Sequence, residues 1–371
     1  MQIPLFLQKL NNRLILVTPG LIKNKPLFLL RYALRVLFAP SDLRRPIRSV
    51  LFHTHYKCNL SCKHCYEKNF NNSGDPMLTL EEKKQVIAEC LRLGALSFDF
   101  VSGESRLSHE FEELVKACRP ERTYITLASN GWGITEAQVR RYMELGIDKI
   151  NVSLDSWNPK EHDEQRGQTG VHASVMNTMA ICEKLGMAYH FTMFIHRDFT
   201  RTDNFQKLVE YAIEHRIRVA FKAAVPLGAL QGQEDALISE YDVQRMLELH
   251  KQYPFLKRDN YGNRCGGCPA IDEVIAITAY GDVLPCNTIH ISLGNVRKEA
   301  LEDILVKARH IHYFKKNFNG CPPAEDRTFI SRYLSKTYNA ESYPIRAEEV
   351  FEELRDYPTG TARPTISPPM Q

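Results

Sequence analysis

The sequence of 371 residues contains no uncharged apolar run long enough to span a bilayer, and no signal-peptide cleavage pattern follows its first residues. It also contains no repeat at solenoid spacing and no low-complexity tract, which excludes a repeat protein. Its ten cysteines are too few for a disulfide scaffold of this length. We therefore expect a cytoplasmic protein in a reducing compartment, with enough apolar residues for a large buried core.

Positive charge is concentrated near the start of the chain. Residues 1–48 contain nine Lys or Arg and one acid, so this segment carries a net charge of +8, whereas the whole chain carries +4. A basic segment rich in Leu and Phe suits an anionic lipid surface better than nucleic acid. Residues 26–38 predict a helix too short to cross a bilayer, with an apolar stripe that contains Leu27, Leu30, Leu34 and Leu37. This helix lies either on a membrane surface or beneath the rest of the fold.

From residue 49 onward, short β-branched or aromatic runs alternate with longer stretches of helical period. The predicted strands are 49–55, 96–101, 124–129, 149–154, 188–195 and 218–224. The predicted helices between and after them are 80–93, 110–117, 136–145, 175–185, 204–214 and 242–252. Six such alternations predict an α/β fold, a parallel sheet curled into a partial (β/α)6 barrel. Ligands of such folds sit at the C-terminal ends of the strands.

The same pattern divides the chain into four parts. Residues 1–48 form the basic N-terminal segment, and residues 49–252 form the partial barrel. The character of the sequence changes near Tyr253, where Gly and Pro interrupt the regular pattern and four further cysteines follow. We expect a small cysteine-containing domain over residues 253–335, and a helix with a disordered tail over residues 336–371.

The first group of cysteines lies in the loop after the first predicted strand, which reads Cys58-Asn-Leu-Ser-Cys62-Lys-His-Cys65. Three thiolates on a four-iron cluster leave one iron without a protein ligand. Such an open iron can bind the amino and carboxylate groups of a small molecule, as open metal positions do elsewhere. The alternative is zinc, with His55 or His64 as the fourth ligand.

The spacing C-x3-C-x2-C, with an aromatic residue before the last cysteine, resembles the radical S-adenosylmethionine (SAM) superfamily. Later segments resemble further motifs of that family in the same order: Ser102-Gly103-Glu104-Ser105, Ser129-Asn130-Gly131, Val152-Ser153-Leu154-Asp155 with Arg166, and Pro226-x-Gly228. The resemblance covers residues 58–228. It implies a partial (β/α)6 radical SAM barrel, with a [4Fe-4S] cluster on Cys58, Cys62 and Cys65 and with SAM as the second cofactor.

The resemblance also implies roles for the residues in these motifs. Gly103 and Glu104 would approach the methionine amino group of SAM, Ser153 the ribose hydroxyls, and Arg166 the methionine carboxylate. Asn130 is the remaining predicted cofactor-binding residue. Ser102 and Ser105 depart from the Gly-Gly-Glu-Pro pattern of the family, and Glu104 has the alternative role of capping the next helix.

A second group of cysteines comprises Cys265, Cys268, Cys286 and Cys321. The run C-x12-G-x4-C resembles the first half of a SPASM domain, which implies an auxiliary [4Fe-4S] cluster in a shortened C-terminal iron–sulfur domain. Zinc held by the same four cysteines is the alternative. Residues 273–282 predict a hairpin between two of these ligands. The other three cysteines, Cys90, Cys118 and Cys182, are predicted to belong to the core.

The resemblance implies an enzyme that cleaves SAM reductively, abstracts hydrogen from its substrate and receives electrons from a flavodoxin- or ferredoxin-type donor. We favour oxidation or functionalisation of a lipophilic small molecule, such as a tetrapyrrole or an isoprenoid lipid. The alternatives are maturation of a ribosomal peptide, oxidation of a sugar alcohol, or a non-catalytic iron–sulfur scaffold. Asn287 occupies the place of the Asp that sulfatase-maturing relatives carry, so oxidation of a protein serine is not expected.

Overall fold

The computed structural model describes residues 25–38, 47–68, 70, 75–259, 267–315, 318–357 and 365–366. The strands are β1 Ser49–His53, β2 Ser97–Val101, β3 Tyr124–Ser129, β4 Lys149–Ser153, β5 Ala188–Ile195, β6 Arg218–Ala223, β7 Leu256–Arg258, β8 Val274–Ile277, β9 Asp282–Leu284, β10 Ile291–Ser292, β11 Gly294–Asn295 and β12 Ile345–Arg346. The α-helices are α1 Pro26–Phe38, α2 Leu80–Arg92, α3 Phe111–Ala117, α4 Glu136–Glu144, α5 Pro159–Arg166, α6 Val171–Leu185, α7 Asp203–Glu214, α8 Glu240–Gln252, α9 Leu301–Ala308, α10 His312–Lys315, α11 Pro322–Glu325, α12 Arg327–Arg332 and α13 Ala347–Val350.

Ten of these strands form one sheet in the order β11-β9-β8-β1-β2-β3-β4-β5-β6-β7. Strands β1 to β7 run parallel, each paired with the next, so the predicted α/β fold with a partial parallel barrel is confirmed. The sheet is wider than predicted, because β7 continues it at one edge and β8 pairs in parallel with β1 at the other. The sheet therefore continues past residue 252, the predicted end of the barrel. The division of the chain into four parts stays a prediction.

Successive residues of a strand face either the apolar core or the barrel interior. In β2, Phe98 and Phe100 are fully buried against the helices, whereas Asp99, on the other side of the strand, faces the barrel interior. The first helix after β1, α2, starts at a capping box in which Thr79 and Glu82 exchange hydrogen bonds. The apolar core thus lies between the sheet and the surrounding helices, and polar side chains such as Asp99 face the barrel interior. The predicted core cysteines Cys90, Cys118 and Cys182 are fully buried.

Helix α1 has the predicted bounds and packs beneath the N-terminal ends of the strands. Phe28 is 2% exposed and packs on Leu96 and Tyr124. The Lys25 ammonium donates to the carbonyl oxygens of Thr123 and Gly146, each at 2.9 Å. The opposite face of the helix remains uncovered by the described residues, and it carries Leu27, Leu30 and Leu34 at 52%, 56% and 48% exposure. No helix in the described part of the chain is long and apolar enough to cross a bilayer.

A candidate active site between two cysteine groups

Backbone hydrogen bonds to three neighbouring segments hold the loop that carries the first cysteine group. The N–H of Glu104 donates to the Lys57 carbonyl at 2.9 Å, and the N–H of Ala229 donates to the Cys65 carbonyl at 2.9 Å. Between these two points, the N–H of Lys63 donates to the Gln165 carbonyl at 2.8 Å. The loop is therefore fixed at both ends and in the middle by segments that follow β2, β6 and β4.

Two of these contacts require glycine. A Cβ atom on Gly103 would lie 2.4 Å from the Lys57 carbonyl oxygen, and one on Gly228 would lie 2.3 Å from the Cys65 carbonyl oxygen. Both glycines also have positive φ, 46° and 57°, which side chains disfavour. The preceding residue in the first loop, Ser102, has φ 82° and donates its hydroxyl to the His55 carbonyl at 2.8 Å. The left-handed turn is thus kept although serine replaces the glycine of the family pattern.

Glu104 connects the loop after β2 to the loop after β3. Its fully buried carboxylate accepts from the Ser129 hydroxyl at 2.6 Å and from the Asn130 N–H at 2.8 Å, and Arg106 Nε lies 2.8 Å away. Burial raises the pKa of Glu104, whereas Arg106 and Ser129 lower it. The alternative that Glu104 caps the next helical turn is wrong, because its side chain makes no cap hydrogen bond. Its contact with the SAM ammonium stays a prediction.

Asn130 and Ser153 follow the same edge of the sheet. The Asn130 amide donates to Asn59 Oδ1 at 2.7 Å and lies 3.8 Å from Cys58 Sγ, so it holds the start of the cysteine loop. Ser153, at the end of β4, lines the adjoining cavity. Both residues therefore stand beside the cysteine group, and their contacts with SAM stay predictions.

Arg166 ends α5, a helix that the sequence pattern does not predict. Its Nη1 lies 3.8 Å from Cys62 Sγ, and its Nη2 pairs with Asp155 Oδ2. Asp155 also accepts from the Phe194 N–H at 3.0 Å, so it orders the loop after β4. The buried Nε of Arg166 has no hydrogen-bond acceptor among the described residues. A free guanidinium donor in this position fits the carboxylate of SAM.

The first cysteine group has the donor set of a four-iron cluster with one open iron. Burial raises the pKa of the Cys65 thiol to about 12, so the thiolate forms only when a metal displaces the proton. His64 stacks on Phe194 with 4.2 Å between ring centroids, and burial lowers its pKa to about 4. Within the described part of the chain, no three Cys, His, Asp or Glu side chains are arranged to hold a single metal ion.

The second cysteine group comes together from three separate segments. The Cys268 N–H donates to the Phe318 carbonyl at 2.9 Å, and the Cys321 N–H donates to Glu325 Oε1 at 2.8 Å. Cys286 follows the predicted hairpin, now β8 and β9, and its sulfur lies 3.0 Å from the Thr288 hydroxyl. Burial raises the pKa of Cys268 to about 12. Cys265 lies outside the described residues.

One cavity of about 820 Å³ connects the two groups, and it is lined by Cys58, Cys62, Cys65, Cys268, Cys286 and Cys321. This volume is in the range of small-molecule sites. The cysteine groups also touch through their next residues, because the Asn287 amide donates to the Tyr66 hydroxyl at 3.0 Å. Deeper in the barrel, the wall is polar and includes Asp99, Lys149 and His190.

Sequence reasoning missed many residues of this cavity wall, among them Tyr66 and Lys222. Lys222 alternates with the buried Val219 and Phe221 of β6, so the period of the strand could have placed it in the barrel interior. Tyr66 offered no such signal, because it lies in an irregular loop directly after Cys65. Both residues line the space between the cysteine groups.

Comparison with known proteins agrees with this arrangement. One family model, the radical SAM superfamily, matches residues 53–212, and a second, the iron–sulfur cluster-binding SPASM domain, matches residues 265–325. The AdoMet-dependent heme synthase of Nitratidesulfovibrio vulgaris is 22% identical over 317 residues, which cover 76% of this chain and 86% of that protein. The PqqA peptide cyclase of Methylocella silvestris is 22% identical over 318 residues, with coverages of 77% and 83%.

The fold also resembles solved structures. The crystal structure of Streptococcus suis SuiB bound to the precursor peptide SuiA matches with a TM-score of 0.54 at 16% identity. The match covers 74% of this chain and 67% of that chain. At this identity the similarity concerns the fold alone.

Proposed function

This chain is a radical SAM protein with a SPASM domain, and we propose that it is an oxidoreductase that takes hydrogen from a substrate held between its two cysteine groups. Its cofactors are [4Fe-4S] clusters and SAM. When bound, the reduced cluster and SAM supply a carbon-centred radical that can abstract hydrogen from an unactivated C–H bond. A flavodoxin- or ferredoxin-type protein would deliver the electron.

The observation that carries this proposal is the shared cavity. Cys58, Cys62 and Cys65 line it together with the described cysteines of the second group. A substrate in this space would meet the hydrogen-abstracting chemistry at one end and an electron acceptor at the other. Two groups placed in this way favour net oxidation, in which the substrate radical passes an electron to the second group, over a reaction in which the substrate retains that electron.

The residues of the chain would prepare this reaction by binding and positioning. Arg166 would hold the SAM carboxylate through its free Nε–H while Asp155 keeps its guanidinium in place. Glu104 and Asn130 would fix the cysteine loop against the ends of β2 and β3. Such fixed contacts reduce the reorganisation needed at the moment of reaction.

The cavity wall narrows the substrate class. Asp99, Lys149 and Asp259 line the interior, so a purely apolar compound such as an isoprenoid lipid would be placed against polar groups and would displace the water around them. A lipophilic body with ionised groups fits better, for example a carboxylated tetrapyrrole, and one relative is named a heme synthase. A peptide is the second candidate, because the wall also offers Asn151 and Thr192 to amide groups and another relative is named a peptide cyclase.

The direct test is anaerobic reconstitution followed by reduction in the presence of SAM. We expect about eight iron atoms per chain, two four-iron clusters. We also expect formation of 5′-deoxyadenosine, which a non-catalytic iron–sulfur scaffold would not produce. A reconstituted protein with full iron content that leaves SAM intact after reduction would overturn the proposal.

We also propose that the protein attaches peripherally to an anionic membrane through α1. The exposed row of Leu27, Leu30 and Leu34 points away from the barrel, and it lies in a segment with a net charge of +8. Apolar side chains flanked by basic residues bind anionic lipid interfaces. Because α1 packs beneath the barrel, the C-terminal ends of the strands would face away from the membrane.

Sedimentation with vesicles of phosphatidylcholine and phosphatidylglycerol at low salt tests this attachment. Replacing the three leucines by Gln should weaken binding at least about tenfold, since each half-exposed Leu would bury further apolar area. The matched control replaces Leu107 and Met143, which are 49% and 41% exposed elsewhere on the surface. The proposal fails if the parent ignores the vesicles or if the control loses as much binding as the α1 variant.

A further inference from the structure

Six cationic side chains line the cavity: Arg48, Lys68, Lys149, Arg166, Lys222 and Arg258. The three arginines each pair with a carboxylate, Arg48 with Glu273, Arg166 with Asp155, and Arg258 with Glu325. Lys68 is exposed to solvent, where water compensates its charge. Two lysines, Lys149 and Lys222, remain without such an ion pair among the described residues.

These two lysines occupy different levels of the barrel. Lys149 is the first residue of β4, near the N-terminal ends of the strands, and burial lowers its pKa, which favours the neutral amine. Lys222 lies near the C-terminal end of β6, at the level of the cysteine groups. Its ammonium lies 4.9 Å from the centroid of the Tyr66 ring. Of these two lysines, Lys222 is therefore the one that lies at the level of the two cysteine groups.

Lys222 makes no close ion pair with the described residues. No carboxylate oxygen among them comes within ion-pair distance of its ammonium, which lies beside the Tyr66 ring. Burial raises the pKa of the more distant Glu67 and Asp259 carboxyls, and the charge of Lys222 opposes that rise. The Glu67 carboxylate accepts from the Gly103 N–H at 2.8 Å. An ammonium held in a partly dry cavity is stabilised strongly by an anion that arrives with the ligand.

We propose that Lys222 binds an anionic group of the substrate, such as a carboxylate, and that the substrate is an amphipathic anion. This inference rests on the proposed function, because it takes the cavity to be the substrate site. The ring of Tyr66 beside the ammonium, together with Ile289 and Pro322 on the C-terminal wall, offers an apolar surface to the rest of the molecule. The carboxylate would lie against Lys222, and the apolar body would lie between the cysteine groups.

A pair of probes that differ by one charge tests the subsite without a known substrate. Anilinonaphthalene sulfonate combines an apolar ring system with an anion, and phenylnaphthylamine is its uncharged parent. Both are measured by equilibrium dialysis against the reconstituted holoprotein, its Lys222→Met variant, and Lys149→Met as the matched control. Lys222→Met should weaken the sulfonate about tenfold or more while phenylnaphthylamine binds as before, because one charge-assisted contact is lost.

Each other outcome overturns the inference. Equal sulfonate binding by the parent and by Lys222→Met would remove Lys222 as an anion subsite, and so would equal losses in the Lys149→Met control. Loss of both probes in Lys222→Met would show a change of cavity shape instead of a lost charge. Formation of 5′-deoxyadenosine is measured on the same samples. If it fails in the parent, the proposed function is at fault, whereas a negative probe result with intact SAM cleavage rejects the Lys222 subsite alone.

Discussion

The two cysteine groups share one structural feature, a buried arginine–carboxylate pair, and differ in how the fold brings their cysteines together. Beside each group, a buried arginine pairs with a carboxylate, Arg166 with Asp155 next to Cys62, and Arg258 with Glu325 next to Cys321. The first group lies in one short loop that follows β1. The second group requires residues before β8, after β9 and at the start of α11 to meet.

This difference shows two ways to position thiols. Loops that end neighbouring parallel strands necessarily meet at one edge of the sheet, so the barrel itself clamps the first group. The second group depends on β8 pairing with β1 and on β9 folding back against β8. Its geometry is therefore a property of the extended sheet, not of a local sequence run.

The largest expected effect separates the two groups chemically. Replacing Cys58, Cys62 and Cys65 by Ala should remove roughly half of the iron and abolish formation of 5′-deoxyadenosine. Replacing Cys268, Cys286 and Cys321 should remove the other half but preserve SAM cleavage. Iron analysis and product assays check both variants. One equivalent of zinc with only half the expected iron in the purified parent would contradict an auxiliary iron–sulfur cluster.

Gly228→Ala tests the clamp on the first group. The new Cβ would clash with the Cys65 carbonyl in addition to the cost of positive φ, so we expect a loss of roughly 2–5 kcal/mol in the free energy of unfolding. Gly232→Ala in the same loop is the control, because it has φ 73° but meets nothing within 4 Å and should lose about 1–2 kcal/mol. Urea denaturation measures both. Equal losses would mean that backbone strain alone, and not contact with the cysteine loop, decides the outcome.

Substitution of Arg166 and substitution of Arg258 should change different measured quantities, SAM affinity and iron retention. Arg166→Lys keeps a cation beside Asp155 but loses the guanidinium fork, so SAM affinity should fall about tenfold with iron content unchanged. Arg258→Lys should instead loosen the second group, seen as faster loss of its iron to a chelator, with SAM affinity unchanged. Calorimetric SAM titration and iron release measure the two effects. Weaker SAM binding in Arg258→Lys, or none in Arg166→Lys, would contradict the placement of the cofactor.

The smallest effect concerns the direct link between the groups. Tyr66→Phe removes the hydrogen bond from the Asn287 amide and should lower the free energy of unfolding by about 1 kcal/mol. Tyr343→Phe, which loses a bond to Gln231 at 2.7 Å, should cost a similar amount. Only Tyr66→Phe should speed the loss of iron from the second group. Identical iron retention in the two variants would show that this hydrogen bond does not stabilise the cysteine arrangement.

Particular elements show how far the sequence alone leads. The six barrel strands and most of their helices follow from period and from capping residues such as Thr79 and Glu82, because these signals are local. Strands β7 and β8 have only three and four residues, too few for a period to be visible. The sequence pattern does not predict helix α5, because only His162 and Arg166 of its eight residues are buried and the helix has no apolar face.

The first cysteine group and the order of the loops around it can be read directly from the chain, because cysteine spacing and strand order are properties of its sequence. The contacts that those loops make depend on the folded arrangement of the strands. Glu104 turns to Ser129 and Asn130 instead of capping a helix, since its carboxylate is buried beside the next strand. Lys222 stands between cysteines more than forty residues away in each direction, since the sheet brings β6 and the segment after β9 to one cavity. Contacts between residues so distant in the chain depend on how the strands pair, and no local pattern records that pairing.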